Sequence, residues 1–543
     1  MLRKRGHLIC LRGALALAVC AAVTLYAFAV WFGNLNHDEG WYLYAARRTA
    51  AGAYPYRDFF FTQGPVMPAV YGALSGLWAP FGILGGRVLT ACLGLLACVL
   101  TAILSRRAVP SQRAAEAGVM AFALTACNLY HVYFTTIPKT YALGSCLLLG
   151  GYALLTLCVS RFRTVRSRLS NMWALPAGVL VALAAGTRLS LGLLLPVTAL
   201  WLLVQYRKTG SAFFWFALGG ALGLTLVYGP VFLYARDPFM FAQSFHVSRG
   251  GHDVFFVIGS VARTVRAYLP LFLLGASLVV MRLFYARAAA SAQVAGEEPG
   301  GVAYRGSIWP SLWLLGALSV WILQLLTPFP YDDYQVPVMG LAVAAVAGWA
   351  ANTTSSGTLR GNICLFWVLA SLLSTVASPL PQEWLVVRQD RFWTVRKPVS
   401  DVAQLRAVAR DVRALSGSDD RLLTQDLYLA VEAGKRVPEG LEMGPFSYFP
   451  ALSDADAVRF HVMNRARLCA LLESAPCTVA AFSGYGLAIR SPVMDEVPQK
   501  DAQHFLSLLG KHYDLVQEVP DFGQHSTTLQ VMKRRETLGG KKP

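Results

Sequence analysis

NHDEGWYLYAARRTAAGAYPYRDFFFTQGPVMP, residues 36–68, decides how the rest of this chain is read. Two adjacent carboxylates, Asp38 and Glu39, follow an apolar run that ends near Phe32. Gly40–Ala51 then mixes apolar and basic residues, as suits a helix lying along a membrane surface. Gly52 ends that helix. Pro55 to Phe59 makes an extended turn, and Tyr54 and Tyr56, which bracket Pro55, suit a wet–dry boundary. Acids at the C-terminal end of a spanning helix oppose its dipole, so they are expected to be there for a reason beyond ending the helix.

Outward from this stretch, the chain reads as two units. Only 14% of its 543 residues are charged, against about 25% in soluble domains. Apolar runs of about 20 residues recur from Ala14 to Leu380, each long enough for a hydrocarbon core of roughly 30 Å. From Gln382 onward the charges are dense and mixed, and no run could cross a bilayer. The expected division is a membrane body over 1–381 and a soluble tail over 382–543. The net charge of +18 does not point to nucleic acid, because the basic residues of the membrane part sit mainly in short connections and the tail has no basic stripe. Met1–Arg12 is basic and precedes a run too long for a signal-peptide core, so a retained first span with the N-terminus inside is expected.

Basic loops stay in the cytoplasm. Placing Arg3–Arg5, Arg106–Arg113, Arg161–Arg168, Arg207–Lys208, Arg282–Arg305 and Arg360 there gives about 11 spans. They fall near 13–33, 86–104, 114–130, 139–159, 172–187, 190–205, 212–234, 263–284, 308–327, 336–351 and 362–379. Long outer loops are expected at about 33–85 and 235–262. Gly64–Leu84 is apolar enough to cross, but a crossing would move two basic loops outside. It is expected to lie in or dip into the outer surface, made irregular by Pro65, Pro68 and Pro80.

This threading gathers polar residues on the outer side. Arg188 stands alone in a tight turn between two apolar runs and reads as functional. Asp253, Asp332 and Asp333 read as ordinary loop polarity. His246 and His252 are no metal signature without a third ligand.

An Asp-Glu pair after the first span, a Tyr-rich helix, a glycine, a Pro-bearing turn and Gln63-Gly64-Pro65 together resemble a known group. It is the polyprenol-phosphate-sugar-dependent glycosyltransferases of the GT-C fold, of the protein O-mannosyltransferase and aminoarabinose transferase type. The resemblance is loose over the membrane body and most specific over residues 36–90. It implies an α-helical polytopic membrane protein of GT-C type with a small C-terminal α/β extracytoplasmic domain, in a bacterial cytoplasmic (inner) membrane. It also implies transfer of a sugar from a polyprenyl-phosphate donor to a lipid, glycan or protein acceptor, with inversion.

In that frame Asp38 matches the general base and Glu39 its positional neighbour. Arg57 and Asp58 match an acidic turn of bacterial members. Gln63 stands where relatives have Glu before Lys-Pro, a position implicated in metal or phosphate contact. Gly64 replaces that lysine, which leaves a divalent metal open. Lys139 lies where relatives place contacts to the donor, and Arg188 is assigned to the donor phosphate from its position alone. The chemistry suits these residue types. A carboxylate taking the acceptor's proton contributes typically about 10²–10⁴ in rate, and a guanidinium fork matches a leaving phosphate. The surface helices 40–51 and 64–84 would wall off a groove for the lipid.

In the tail, 400–415 and 501–513 have helical spacing, while 421–427, 478–482, 513–518 and 527–533 read as strands. It contains no nucleophile elbow, phosphate loop or zinc spacing, so packing, acceptor docking or partner binding is expected of it. Cys469 and Cys477 either pair or stay free. A transporter or flippase of lipid-linked sugars remains an alternative, although no inverted repeat is evident. So does an envelope polysaccharide polymerase or ligase, although the acid pair is not their expected signal.

Overall fold

The computed structural model describes residues 2–160, 171–247, 253–294, 307–352, 357–382, 392–394, 396–484 and 497–535. Arg161–Arg168, His252, residues 295–305 of the 282–305 connection and the side chains of His246 and Arg360 lie outside the described residues. The helices of the first part are α1 (Leu2–Phe32), α2 (His37–Ala50), α3 (Val66–Ala73), α4 (Gly82–Arg107), α5 (Ala114–Ala126), α6 (Leu129–Phe134) and α7 (Thr140–Ser160). They continue as α8 (Ala174–Thr187), α9 (Leu194–Val204), α10 (Ala212–Tyr234), α11 (Arg236–Val247), α12 (Val254–Ala267), α13 (Leu269–Val294), α14 (Trp309–Leu325), α15 (Val336–Ala351) and α16 (Gly357–Leu373).

Among the described residues, six helices are long and apolar enough to cross a membrane, seven if a bent pair counts as one span. Shorter apolar helices fill the places of three more expected spans, at Ala174–Thr187, Leu189–Val204 and Trp309–Leu325. The described basic connections share one end of the bundle. There Arg113 donates to the carbonyl of Asn352 at 2.6 Å, Arg107 to that of Ala153 at 2.6 Å, and His7 meets Glu116 at 3.2 Å.

Two expectations fail in instructive ways. Asp38 and Glu39 do not end α1. The chain breaks at 33–36, and the two acids open α2. Asn36 is the N-cap, and its side chain accepts the amide of Asp38 at 2.9 Å. Glu39 returns a bond from the Asn36 amide at 2.8 Å, which completes a capping box. At this end of a helix the dipole favours the acids. The second failure is the outer loop 235–262, which is largely helical as α11 and α12. Asp253 caps α12 by accepting the Phe256 amide at 2.9 Å. The chain turns by 87° between α12 and α13, so the apolar stretch expected near 263–284 is bent at its start and not one straight helix. Pro270 sits at that break; it lacks an amide proton and disfavours helix in the residue before it. The segment 64–84 is broken as anticipated, into the eight residues of α3, a single turn at Ser75–Trp78 and a 3₁₀ turn at Ala79–Phe81.

The C-terminal part is α/β. Helix α17 (Asp401–Leu415) starts at an Ser400 cap, and α18 (Leu427–Ala433), α19 (Arg465–Ser474) and α20 (Gln499–His512) follow. Strands β1 (Leu422–Thr424), β2 (Val479–Phe482), β3 (Tyr513–Phe522) and β4 (Thr527–Arg534) form one sheet in the order β1-β2-β4-β3. β1 and β2 are parallel, and the other pairs antiparallel. Cys469 and Cys477 are both free thiols.

Helix α2 is the wall shared by the two parts. On one side Glu39, fully buried, takes a two-pronged ion pair from Arg87 of α4 at 2.7 Å on each oxygen. The same guanidinium ties down the α1–α2 break through the carbonyls of Gly33 and Asn34, at 2.8 and 2.9 Å. On the other side Gly40 lies against α18 so closely that a Cβ would stand 2.5 Å from the Tyr428 amide nitrogen. The Tyr44 hydroxyl accepts the Val437 amide at 3.0 Å, and Arg47 donates to the Val431 carbonyl at 2.9 Å. Near this seam burial pushes the Glu442 carboxyl up to about 7.

Removing one member of a buried pair leaves an uncompensated charge, which costs about 3–5 kcal/mol. Arg87→Met is therefore expected to collapse folded yield and thermal midpoint, and Glu39→Gln/Arg87→Met to recover much of the loss. For Glu442, folding raises the pKa, so the folded state holds the extra proton between pH 4.5 and 7 and stability falls as pH rises through that window. Glu442→Gln is expected to stabilise the fold at pH 8 by on the order of 3 kcal/mol, read as a raised thermal midpoint, and to stabilise it much less at pH 5.

Candidate active site

Asp38, Lys139 and Asp333 meet although they come from three distant segments. Lys139, just before α7, is almost fully buried. Its ammonium lies 3.0 Å from Asp333 Oδ2 and 3.4 Å from Asp38 Oδ2. A buried ammonium needs partners. Burial opposes its charge, but the carboxylates of Asp333 and Asp38 outweigh that and hold its pKa above the ordinary lysine value. The rings of Tyr141 and Phe134 add π faces at 4.4 and 4.9 Å. Tyr141 also donates to Asp333 at 2.7 Å, and Trp41 to Asp38 Oδ1 at 3.3 Å. Asp38 nevertheless stays one-third exposed, at 34%.

Arg188 occupies the turn after α8, with extended backbone. Its guanidinium lies over the Tyr334 ring at 4.2 Å and beside the Tyr141 ring at 5.2 Å, so one aromatic ring separates it from Lys139. Among the described residues it makes no ion pair and no side-chain hydrogen bond. Its charge rests on ring faces, and its N–H fork is unspent. Tyr42 of α2 senses Asp38, Lys139 and Arg188 together. Burial, reinforced by Asp38, pushes its hydroxyl well up, while Arg188 and Lys139 pull the other way.

The turn with Arg188 is braced by the 36–68 stretch. Gly64 packs on the end of α8, where a Cβ would stand 2.0 Å from the Gly186 carbonyl oxygen. This close approach explains the glycine at position 64. Gln63 contributes its backbone, whose carbonyl accepts the Tyr56 hydroxyl.

The sequence-derived set thus divides. Asp38, Lys139 and Arg188 come together. Glu39 is turned away from them into its fully buried pair with Arg87. Arg57 and Asp58 close on each other at 2.7 and 2.9 Å at the surface, and Asp58 accepts the Tyr54 amide at 2.6 Å. The guanidinium beside Asp58 holds that carboxyl below its usual range. No contact joins this turn to Asp38, Lys139 or Arg188 among the described residues. Sequence reasoning missed Asp333, Tyr141, Tyr334 and Tyr42, and took Asp332 and Asp333 for loop polarity. Asp332 in fact accepts from Tyr130 at 2.5 Å and Arg263 at 3.0 Å. The adjacency of two acids at the head of an apolar helix was the available signal. No group of three or more His, Cys, Asp or Glu suited to a metal occurs among the described residues.

Gly64→Ala carries no functional group away, yet its methyl must displace the Gly186 turn. It is expected to cut activity at least about tenfold while the protein still folds, since small misplacements at a site are costly; activity per folded molecule is the measurement.

The sequence matches no family model and no curated protein. Among solved structures, ArnT from Cupriavidus metallidurans in the apo state aligns with a TM-score of 0.62 at 14% identity, over 98% of this chain and 99% of that one. The structure of the same protein bound to undecaprenyl phosphate aligns with a TM-score of 0.59 at 14% identity, over the same shares of the two chains. The chain therefore has the GT-C fold of these membrane proteins along its whole length.

Proposed function

We propose that this chain is a membrane glycosyltransferase that moves a sugar from a polyprenyl-phosphate donor to an extracytoplasmic acceptor. The observation that carries the reading is the unspent Arg188 fork beside a lysine-held, partly open carboxylate at position 38. The likeness to a GT-C protein seen with undecaprenyl phosphate supports the same donor class.

The step balances with these groups alone. The acceptor hydroxyl or amine gives its proton to Asp38 as its oxygen or nitrogen attacks the anomeric carbon. The bond from that carbon to the phosphate oxygen breaks, with inversion. The phosphate leaves with its negative charge, which the Arg188 fork receives in two hydrogen bonds. Lys139 bonds both Asp38 and Asp333, so its part is to hold Asp38 in place, with its charge as a second attraction for the phosphate. Donor at the lipid boundary and acceptor from the aqueous side fit an end of the bundle opposite the basic connections. On the positive-inside rule, that end and the tail face away from the cytoplasm. The same assay, run with and without chelator, tests whether a divalent metal takes part.

Asp38→Asn keeps the shape and the Trp41 bond but removes the base. Transfer measured by mass spectrometry of envelope glycolipids and glycoproteins should fall by about 10²–10⁴, with folding and donor binding retained. Arg188→Gln should weaken donor binding as well as transfer. Full transfer by a folded Asp38→Asn protein would refute the reading.

A further inference from the structure

Where the C-terminal end of α2, the Ser75–Phe81 segment and helices α17 and α18 meet, there is an open groove of about 690 Å³. Arg47, Arg406, Arg410 and Arg413 line it. Its one lining carboxylate among the described residues, Glu432, is already spent. One oxygen accepts the Ile83 amide at 2.8 Å and the other the Arg406 guanidinium at 3.2 Å. Gly82, at φ +61°, lets the chain close over it, since a Cβ there would stand 2.0 Å from the carboxylate.

The remaining cations have no such partner. Arg47 and Arg413 each donate to a backbone carbonyl, of Val431 at 2.9 Å and of Glu432 at 2.8 Å. No carboxylate lies within ion-pair distance of Arg47, Arg410 or Arg413 among the described residues. Burial without an acidic partner pushes the Arg47 guanidinium down. Arg406, Arg410 and Arg413 recur at helical spacing on α17, beside the buried face formed by Leu405, Val408, Ala409 and Val412. Like charges four residues apart repel, so this stripe stands at a cost that an anion would relieve. Leu77 and Phe81, exposed at 68% and 61%, lie on the segment that borders the groove and offer apolar surface to a bilayer.

We propose that this groove is an anion site that seats a phosphate group at the membrane surface, held by the guanidinium forks of Arg410 and Arg413 with Arg47 behind them. Guanidinium pairs match phosphate oxygens in geometry and charge. The site is separate from Asp38, which lies at the other end of α2, about 14 Å away along the helix axis. It does not depend on the catalytic reading.

The test uses the full chain in a neutral detergent, carrying Arg188→Gln to silence the central phosphate candidate. Binding of dihexanoyl phosphatidic acid, inorganic phosphate and dihexanoyl phosphatidylcholine is titrated calorimetrically, and a thermal melt verifies folding. Saturable binding of phosphatidic acid but not phosphatidylcholine is expected. Adding Arg410→Gln/Arg413→Gln should weaken it at least about tenfold, and Arg410→Lys/Arg413→Lys, which keeps charge and loses the fork, by less. Inorganic phosphate binding as tightly as the lipid would identify a free anion, and a clear preference for the lipid a headgroup; either supports the site. No binding of either phosphate probe to folded protein, or binding indifferent to the glutamine pair, overturns it.

Discussion

A buried ammonium is the constraint on which the site rests. Lys139 has left water, so two carboxylates must come to it. One is on α2 and the other precedes α15, 101 and 194 residues from the lysine in sequence. Satisfying that one charge fixes the heads of α2, α7 and α15 relative to one another. The Tyr141 ring passes the arrangement on to Arg188 at the end of α8. The same constraint has a functional consequence. Lys139 spends two of its three donors on the acids, which leaves Arg188 as the cation of the cluster with its whole fork to offer.

Helix α2 converts this cluster into a property of the whole chain. Its first turn carries Asp38. Its Glu39 is locked to Arg87, and its opposite face is locked to α18 by Gly40, Tyr44 and Arg47. The C-terminal α/β part also grips the α2 start directly, where Gln524 accepts the His37 amide at 2.8 Å. His37 is buried there beside His525, and burial followed by that neighbour lowers its pKa to about 3, so it stays neutral. The α/β part is thus a brace on the helix that presents Asp38, which accounts for a tail without catalytic motifs of its own.

Much of this was legible in the sequence, for reasons of scale. Bilayer thickness sets the length of apolar runs, so the span positions came within a few residues for helices such as Ala212–Tyr234 and Val336–Ala351. Periodicity did the same for Asp401–Leu415 and for the strand pair at the C-terminus. What failed was punctuation and partnership. The four-residue break at 33–36 is short, although Asn36 and Glu39 had capping-box spacing. The partner of Asp333 is 194 residues away, and nothing local distinguishes it from a loop acid. Arg57 and Asp58 looked functional by their motif but satisfy each other, which adjacent opposite charges readily do.

The most direct test of the account is a structure of the chain with a polyprenyl phosphate bound. The phosphate is expected within hydrogen-bond distance of the Arg188 guanidinium, with its sugar-bearing oxygen facing the open side of Asp38 and Lys139 still between Asp38 and Asp333. A phosphate bound elsewhere, with Arg188 still on its tyrosine rings and Asp38 remote from the oxygen, would contradict it.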